Sequence, residues 1–282
     1  MSTARPDAQP DELPIDADAL RARLVAPHGP YAGLNVVAST GSTNADLAAA
    51  GQQPDRTVLI AEQQTAGQGR QRRSWVSPAG SGLYLSVLLR PSDVPVERLG
   101  WIPLLAGVAL ARTVTWAGAD TTLKWPNDLL VGAGHRKAAG ILAEVSAVRD
   151  NTVVLGIGLN VLPLPADVPV GAGGLAPTSL ADERATQLDR TELAAHLLTQ
   201  LAELELAWRA AGGDPVATGL AAEYRRWCGT LGQRVRVELP GPAELVGVAE
   251  TLDADGTLVV RADDGRRHPV SAGDVVHLRP AS

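Results

Sequence analysis

Phenylalanine is absent from the 282 residues, and six tryptophans with three tyrosines bring the aromatic share to only 3%. The core must therefore be built from Leu, Val, Ile and Ala, which a 45% hydrophobic content supplies in quantity. A single cysteine, Cys228, excludes an internal disulfide framework and a thiolate-rich metal site, and it points to a reducing compartment, by default the cytoplasm. The histidines His28, His135, His196, His268 and His277 are scattered, so a histidine metal site is not expected. Basic charge is also in short supply: 25 Lys and Arg stand against 31 Asp and Glu, a net charge of −6. Duplex DNA binding rests on phosphate neutralisation, so a DNA partner is not expected and any anion site must be local. The longest apolar stretch, Trp101 to Ala111, is about half of what a bilayer requires and contains Pro103, so no membrane span is expected. Residues Met1 to Glu12 carry neither an apolar targeting core nor an Arg-rich amphipathic pattern and read as a disordered tail.

What is present falls into segments. Asp16 to Val25 reads as a helix with Leu20 and Leu24 one turn apart, and Ser42-Thr43-Asn44 precedes a short helix, Ala45 to Ala50, with hydroxyl N-cap candidates and Gly51 at its end. Thr57 to Ala61 and Leu83 to Leu89 read as partner strands on either side of a long polar loop, Gln63 to Ser81, which carries Arg70, Arg72 and Arg73. Arg98 to Trp116 is an apolar helix. Thr121 to Trp125, Leu129 to Val131, Ala139 to Val145 and Thr152 to Val161 read as strands, and Leu162 to Pro177 as a Pro/Gly-rich connection. Asp189 to Ala210 is a helix with an Asp189/Glu192 capping-box pattern, placed as a lid or a buttress. Beyond a boundary near Cys228, short alternating strands with turn signals at Asp253-Ala254-Asp255-Gly256 and Asp263-Asp264-Gly265 suggest a small closed barrel. Strands clustered around a few helices indicate an α+β protein: a tail and helix over 1–33, a main domain over 34–228 and a terminal barrel over 229–282.

Four motifs carry chemistry. Gly67-Gln68-Gly69-Arg70-Gln71-Arg72-Arg73-Ser74-Trp75 combines close backbone approach, guanidiniums suited to phosphate or carboxylate oxygens, and an indole that can stack on a ligand; a solvated turn is the alternative. The guanidiniums repel one another by about 1 kcal/mol per pair at 4 Å in water, so the loop is expected to stay mobile until an anion arrives. Lys124-Trp125-Pro126-Asn127-Asp128 ends a strand with a cis or rigid turn that fixes an amide and a carboxylate, or forms an ordinary type I turn. Lys137 sits just before a strand of small residues, aimed into a cleft or solvated. The glycines of Gly156-Ile157-Gly158-Leu159-Asn160 fit a close ligand approach or a bulge.

Together these segments, in this order and spacing, resemble the biotin protein ligases. The resemblance covers about residues 36 to 161, and the terminal strands resemble that family's SH3-like domain. It implies a central mixed or antiparallel sheet with helices, similar to class II aminoacyl-tRNA and biotin synthetases, plus a C-terminal SH3-like β-barrel. It further implies that biotin and Mg-ATP form biotinyl-5′-AMP, from which biotin passes to a lysine of a biotin carboxyl carrier domain. By the same resemblance Ser42, Thr43, Asn44, Gln64, Gln68, Gly69, Arg70, Lys137 and Gly140 line the biotin site. Arg70, Arg73, Trp75, Lys124, Asn127, Lys137 and Asn160 line the nucleotide site; Lys137, Arg70 and Asp128 are catalytic, with Asp128 the residue expected near Mg²⁺. Compared with the family's usual Gly-Arg-Gly-Arg-Arg-Gly-Arg, Gln68 and Gln71 replace arginines and Arg72 replaces a glycine. Only about one helix fits before residue 41, which is similar to members that are ligases without being repressors; a monomer or weak homodimer is expected. Lipoate ligases and lipoyl or octanoyl transferases are the nearest rival reading. A non-catalytic nucleotide or nucleic-acid module is disfavoured by the acidic residues of the terminal segment and by the lack of Trp or Tyr after Trp227.

Overall fold

The computed structural model describes residues 14–145, 151–171, 174–238, 244–271 and 274–277; the tail expected over Met1 to Glu12 lies outside the described residues. Seven strands form the main sheet in the order β1 (Gly33–Val37), β2 (Thr57–Ala61), β3 (Gly82–Leu89), β7 (Val153–Asn160), β6 (Arg136–Val145), β5 (Asp128–Val131) and β4 (Thr121–Lys124). β1 and β2 are parallel and all other neighbours antiparallel, so the sheet is mixed, as the α+β reading expects. β1 went unassigned from sequence because five residues, Gly-Leu-Asn-Val-Val, show no usable alternation.

Side-chain alternation gives this sheet two unlike faces. Leu83, Leu85 and Val87 of β3, with Leu155, Ile157 and Leu159 of β7, enter the main core. There they meet helices α3 (Trp101–Trp116), α4 (Arg190–Ala210) and α1 (Ala17–Leu24). On the opposite face Leu88 and Val154 pack with Leu47 of α2 (Thr43–Ala49) in a small separate cluster. The rest of that face is free for a ligand.

The apolar helical stretch is longer than the sequence reading held: Val96–Trp116 spans 21 residues, enough by length and hydropathy to cross a membrane, but most of it is buried among the sheet and α4. Its job is core formation, each fully buried Leu or Val contributing about 1.5–3 kcal/mol. α4 is a buttress on α3 and α1, and none of its residues lines the cleft described below. Asp189 caps it by accepting from the N–H groups of Thr191 and Glu192 at 2.8 and 3.1 Å. The expected reciprocal half of the capping box is replaced: the Asp189 N–H donates to Gln187 Oε1 at 2.9 Å, and the Glu192 carboxylate pairs with Arg23 of α1 at 2.7 Å.

The second sheet is antiparallel, in the order β11 (Arg267–Val270), β10 (Leu258–Ala262), β9 (Glu244–Leu252), β8 (Arg234–Glu238) and β12 (Asp274–His277), consistent with an SH3-like domain. Among the described residues the pairings leave β11 and β12 at the two ends of the strand order. Its β9–β10 turn docks on the main core: Ala254 O accepts from Trp101 Nε1 at 3.0 Å and Arg98 Nη1 at 2.8 Å, and Gly256 O accepts from Trp125 Nε1 at 3.3 Å. Helix α5 (Leu220–Trp227), also unassigned from sequence, leads to the buried Cys228, which forms a backbone bridge to Leu123.

A charged knot ties the C-terminal end of α4 to the loop before β2. Arg209 donates to Asp55 Oδ2 and Oδ1 at 2.7 and 3.0 Å and pairs with Glu205, which also accepts from Arg56 at 3.0 Å. Burial alone would raise the Asp55 carboxyl, but the Arg209 hydrogen bond and the Arg90 N–H outweigh it and hold the carboxyl below its usual range; burial raises Glu205. A depressed folded carboxyl gives stability that is full above the unfolded value of 3.8 and disappears as pH falls through the lower folded value. Asp55→Asn should therefore lower the thermal midpoint at pH 7, with the gap to wild type closing below about pH 4. Melting curves of both proteins across pH 2.5 to 7 check this.

Candidate active site

The cleft is hollowed into the α2 face of the main sheet because the strands there carry almost no side chain. Gly140 of β6 and Gly156 and Gly158 of β7 line it. The register of β7 against β3 and β6 is unbroken across both glycines, which rejects the bulge and leaves close approach as their reason. A Cβ at Gly156 would lie 2.3 Å from Asn44 Oδ1, and one at Gly158 would lie 2.5 Å from Trp75 Nε1. Two side chains from outside the sheet thus rest directly on its backbone.

One comes from α2. The helix starts earlier than expected: Ser42 is its N-cap, so Thr43 and Asn44 lie in the first turn and point down to the sheet, buried. Thr43 N–H donates to Gln64 Oε1 at 2.9 Å, while Gln64 Nε2 donates to Ser77 Oγ at 3.1 Å, so the Gln64 amide is fixed at both ends. Ser42, Thr43, Asn44 and Gln64 form one end of the cleft.

The other comes from the arginine loop. Gly69 N–H donates to Arg73 O at 2.7 Å and Trp75 N–H to Gly67 O at 2.8 Å, with a bridge between Gln68 and Ser74, so the segment takes the form of a hairpin-like turn. Its guanidiniums are splayed: Arg70 Nη1 reaches Asn127 Oδ1 at 3.5 Å and Arg73 Nη2 donates to Gln71 Oε1 at 2.9 Å. Gln68, Gly69, Arg70, Arg73 and Trp75 all line the cleft; Arg72 does not. The Trp75 indole N–H is buried with no hydrogen-bond partner among the described residues. Where the loop rejoins β3, burial pushes the Tyr84 hydroxyl up to about 12, and that hydroxyl donates to Pro78 O at 3.2 Å.

The third wall carries the charge. Trp125-Pro126 is a cis peptide, and Asn127 behind it is stitched to β6, donating from Nδ2 to Ile141 O at 3.0 Å. Lys137 lies inside β6, whose strand begins at Arg136, earlier than expected. Gly140 faces the cleft, so strict alternation would turn Lys137 away. The β5–β6 register shifts between Leu129 and Leu130, absorbing Ala138 as a bulge, and the bulge turns Lys137 inward. Its Nζ lies 2.5 Å from Asp128 Oδ1 and 5.5 Å from the Trp75 ring centroid. Lys124 Nζ is 3.9 Å from Asp128 Oδ2, and both residues are buried. Asn160 completes the wall, its Nδ2 donating to Thr178 O at 2.9 Å.

The model of the Biotin/lipoate A/B protein ligase family matches residues 34–160, and that of the Biotin protein ligase C terminal domain matches residues 230–278. A Biotin--[acetyl-CoA-carboxylase] ligase of Mycobacterium tuberculosis is 46% identical over 273 residues, covering 94% of this chain and 97% of that protein. The chain belongs to the biotin protein ligase family. The fold agrees: a biotin protein ligase from Aquifex aeolicus in complex with biotin and ATP superposes with a TM-score of 0.69 at 24% identity, over 89% of this ligase and 100% of that chain. One from Leishmania major in complex with biotinyl-5-AMP gives a TM-score of 0.56 at 25% identity, over 86% and 100%.

Every residue of this ligase assigned from its sequence to the biotin, nucleotide or catalytic set lines the one cleft. Sequence reading missed Ser86, whose Oγ lies against Thr43 and Asn44, and Glu144, which accepts from Asn44 Nδ2 at 2.8 Å. It also missed Leu164, Val168, Pro169 and Leu175, which line the cleft from the connection read only as Pro/Gly-rich. Its length was the available signal. That connection is held in place by backbone, with Lys137 N–H donating to Ala176 O and Thr178 N–H to Lys137 O, both at 2.9 Å.

Arg72 has φ 57, a left-handed conformation. The family's usual glycine at this point therefore has a conformational reason. Arg72→Gly should leave the thermal midpoint of this ligase unchanged or slightly higher, since relief of about 1–2 kcal/mol of left-handed strain offsets the added freedom of the unfolded chain. Gly158→Ala should displace the Trp75 indole toward solvent, read as a red shift of tryptophan emission.

Proposed function

We propose that this protein is an ATP-dependent biotin–protein ligase. A carboxylate oxygen of biotin attacks the α-phosphorus of Mg-ATP, pyrophosphate leaves, and the amine of an acceptor lysine then attacks the carbonyl of biotinyl-5′-AMP, releasing AMP and forming an amide. The observation that carries this reading is the inward-turned Lys137 ammonium, held by Asp128 beside the Trp75 ring in the cleft that Arg70 also lines. Two anionic reactants repel each other, and positioned cations at their meeting point are the main requirement of such a reaction.

Ser42, Thr43, Asn44 and Gln64 receive the ring end of biotin, and Gln68, Gly69 and Gly140 line its path toward the carboxylate. Lys137 and Arg70 flank that carboxylate and the α-phosphate. Arg73, Trp75, Lys124, Asn127 and Asn160 border the nucleotide. Asp128 acts by holding Lys137. It does not fit a protein-held magnesium: its carboxylate is already engaged by two ammoniums, and no group of three acidic, His or Cys side chains suited to a metal occurs among the described residues. The metal enters as part of Mg-ATP, carried by the phosphates. Residues 34–228 make up the catalytic unit and 229–282 the terminal one. The acceptor is a biotin carboxyl carrier domain; the enzyme works in the cytoplasm as a monomer or weak homodimer and binds no DNA.

Purified protein with ATP, Mg²⁺ and biotin should release pyrophosphate and retain biotinyl-AMP, and should not do so with lipoate. Adenylation of lipoate instead of biotin would overturn the reading. Lys137→Ala should slow biotin-dependent pyrophosphate release by about 10²–10³-fold; a wild-type rate would remove Lys137 from the chemistry.

A further inference from the structure

Resting on the reading of the cleft as a biotin pocket, we propose that Glu144 is a positioning residue that sets the direction of the hydrogen bonds offered to the ligand. Acting through Asn44 and Ser86, it makes Thr43 accept an N–H from the ring of biotin.

The Asn44 amide lies over Gly156, and the register partners of Gly156 are Ser86 on one side and Leu142 on the other. The amide therefore spans three strands, with one end over β6 and the other over β3. At the β6 end Nδ2 lies 2.8 Å from Glu144 Oε2 and 3.4 Å from Leu142 O. A carboxylate and a carbonyl only accept, so the NH₂ must be at this end and the amide oxygen at the other. There Oδ1 lies 2.6 Å from Ser86 Oγ.

Ser86 is fully buried and has one hydroxyl proton. An amide oxygen cannot donate, so that proton goes to Asn44. Ser86 Oγ is also 2.7 Å from Thr43 Oγ1, and a hydrogen bond there then requires the proton of Thr43. Gln64 Oε1 is a longer alternative at 3.1 Å and already accepts the Thr43 N–H. With its proton turned to Ser86, Thr43 offers the cleft only lone pairs, which suit one N–H of a cyclic urea.

Remove the carboxylate and nothing of comparable strength decides which way the Asn44 amide faces. With the amide turned over, Nδ2 donates to Ser86 and Ser86 donates to Thr43, which leaves the Thr43 proton shared between Gln64 Oε1 at 3.1 Å, already engaged by the Thr43 N–H, and the ligand. In the fraction that turns to the ligand, the same side chain presents a donor where the ring needs an acceptor. Glu144 stands at the exposed rim of the sheet, so replacing it leaves no hole in the core.

The test uses the full chain, with steady-state pyrophosphate release measured against biotin and against ATP. Glu144→Leu should raise KM for biotin about tenfold or more, the effect of leaving one buried polar group wrongly paired, while kcat and KM for ATP stay within about twofold. Glu144→Gln, whose amide oxygen still accepts from Asn44, should recover most of the loss. Biotin methylated on the ureido nitrogen that meets Thr43 should be rejected by wild type, and the gap between it and biotin should shrink in Glu144→Leu. The proposal is overturned by an unchanged KM for biotin in Glu144→Leu, or by a joint rise of both KM values with a lowered thermal midpoint. Failure of the wild-type protein to form biotinyl-AMP would instead refute the ligase reading.

Discussion

Asp128 stands between two ammonium groups, 2.5 Å from Lys137 and 3.9 Å from Lys124, in the wall of the cleft. Three charges of this kind sum to a positive one, and with Lys124 and Asp128 buried that excess is screened less than it would be in bulk water. The carboxylate keeps the two cations close together and keeps Lys137 pointing one way. The lysine on its own would be a flexible point charge. Much of the surrounding architecture serves this arrangement: the cis turn at Pro126 that starts β5, the bulge at Ala138 that turns Lys137 over, and the segment 176–178 that pairs with its backbone. A biotin carboxylate and a nucleotide phosphate would meet at this excess of charge.

The opposite end of the cleft follows a different rule. There the sheet supplies absence, through glycines, and α2 supplies the polar groups. Thr43 and Asn44 reach the floor because Ser42 caps the helix one residue before them. The cap thus fixes both the start of the helix and the depth of the pocket. Between the two ends lies Trp75, resting on Gly158 and beneath Lys137, with an N–H that lacks a protein acceptor among the described residues.

Sequence reading located most strands to within a few residues and brought every proposed site residue to one cleft, because motifs such as Lys124 to Asp128 bind chemistry to turn geometry locally. Its failures were of another type. Ser86 and Glu144 sit in strands that look ordinary, and their roles arise only when register sets them beside Gly156. Two short elements also went unassigned: β1, whose five residues show no usable alternation, and α5, where the one-turn spacing of the buried Leu220 and Tyr224 was an available signal that was not used. The bulge at Ala138 leaves no trace in composition, yet it decides the direction of Lys137.

The turn at Asp253 to Gly256 accepts from Trp101, Trp125 and Arg98 of the other sheet's half, and Thr230 Oγ1 accepts from the Trp125 backbone N–H at 3.0 Å. Cutting the chain after α5 would take away the acceptors of Trp101 and Trp125 and loosen the residue that precedes the cis proline. The small C-terminal sheet is therefore a keystone for the turn that carries Asn127 and Asp128, and the two halves are bound to melt, and to evolve, together.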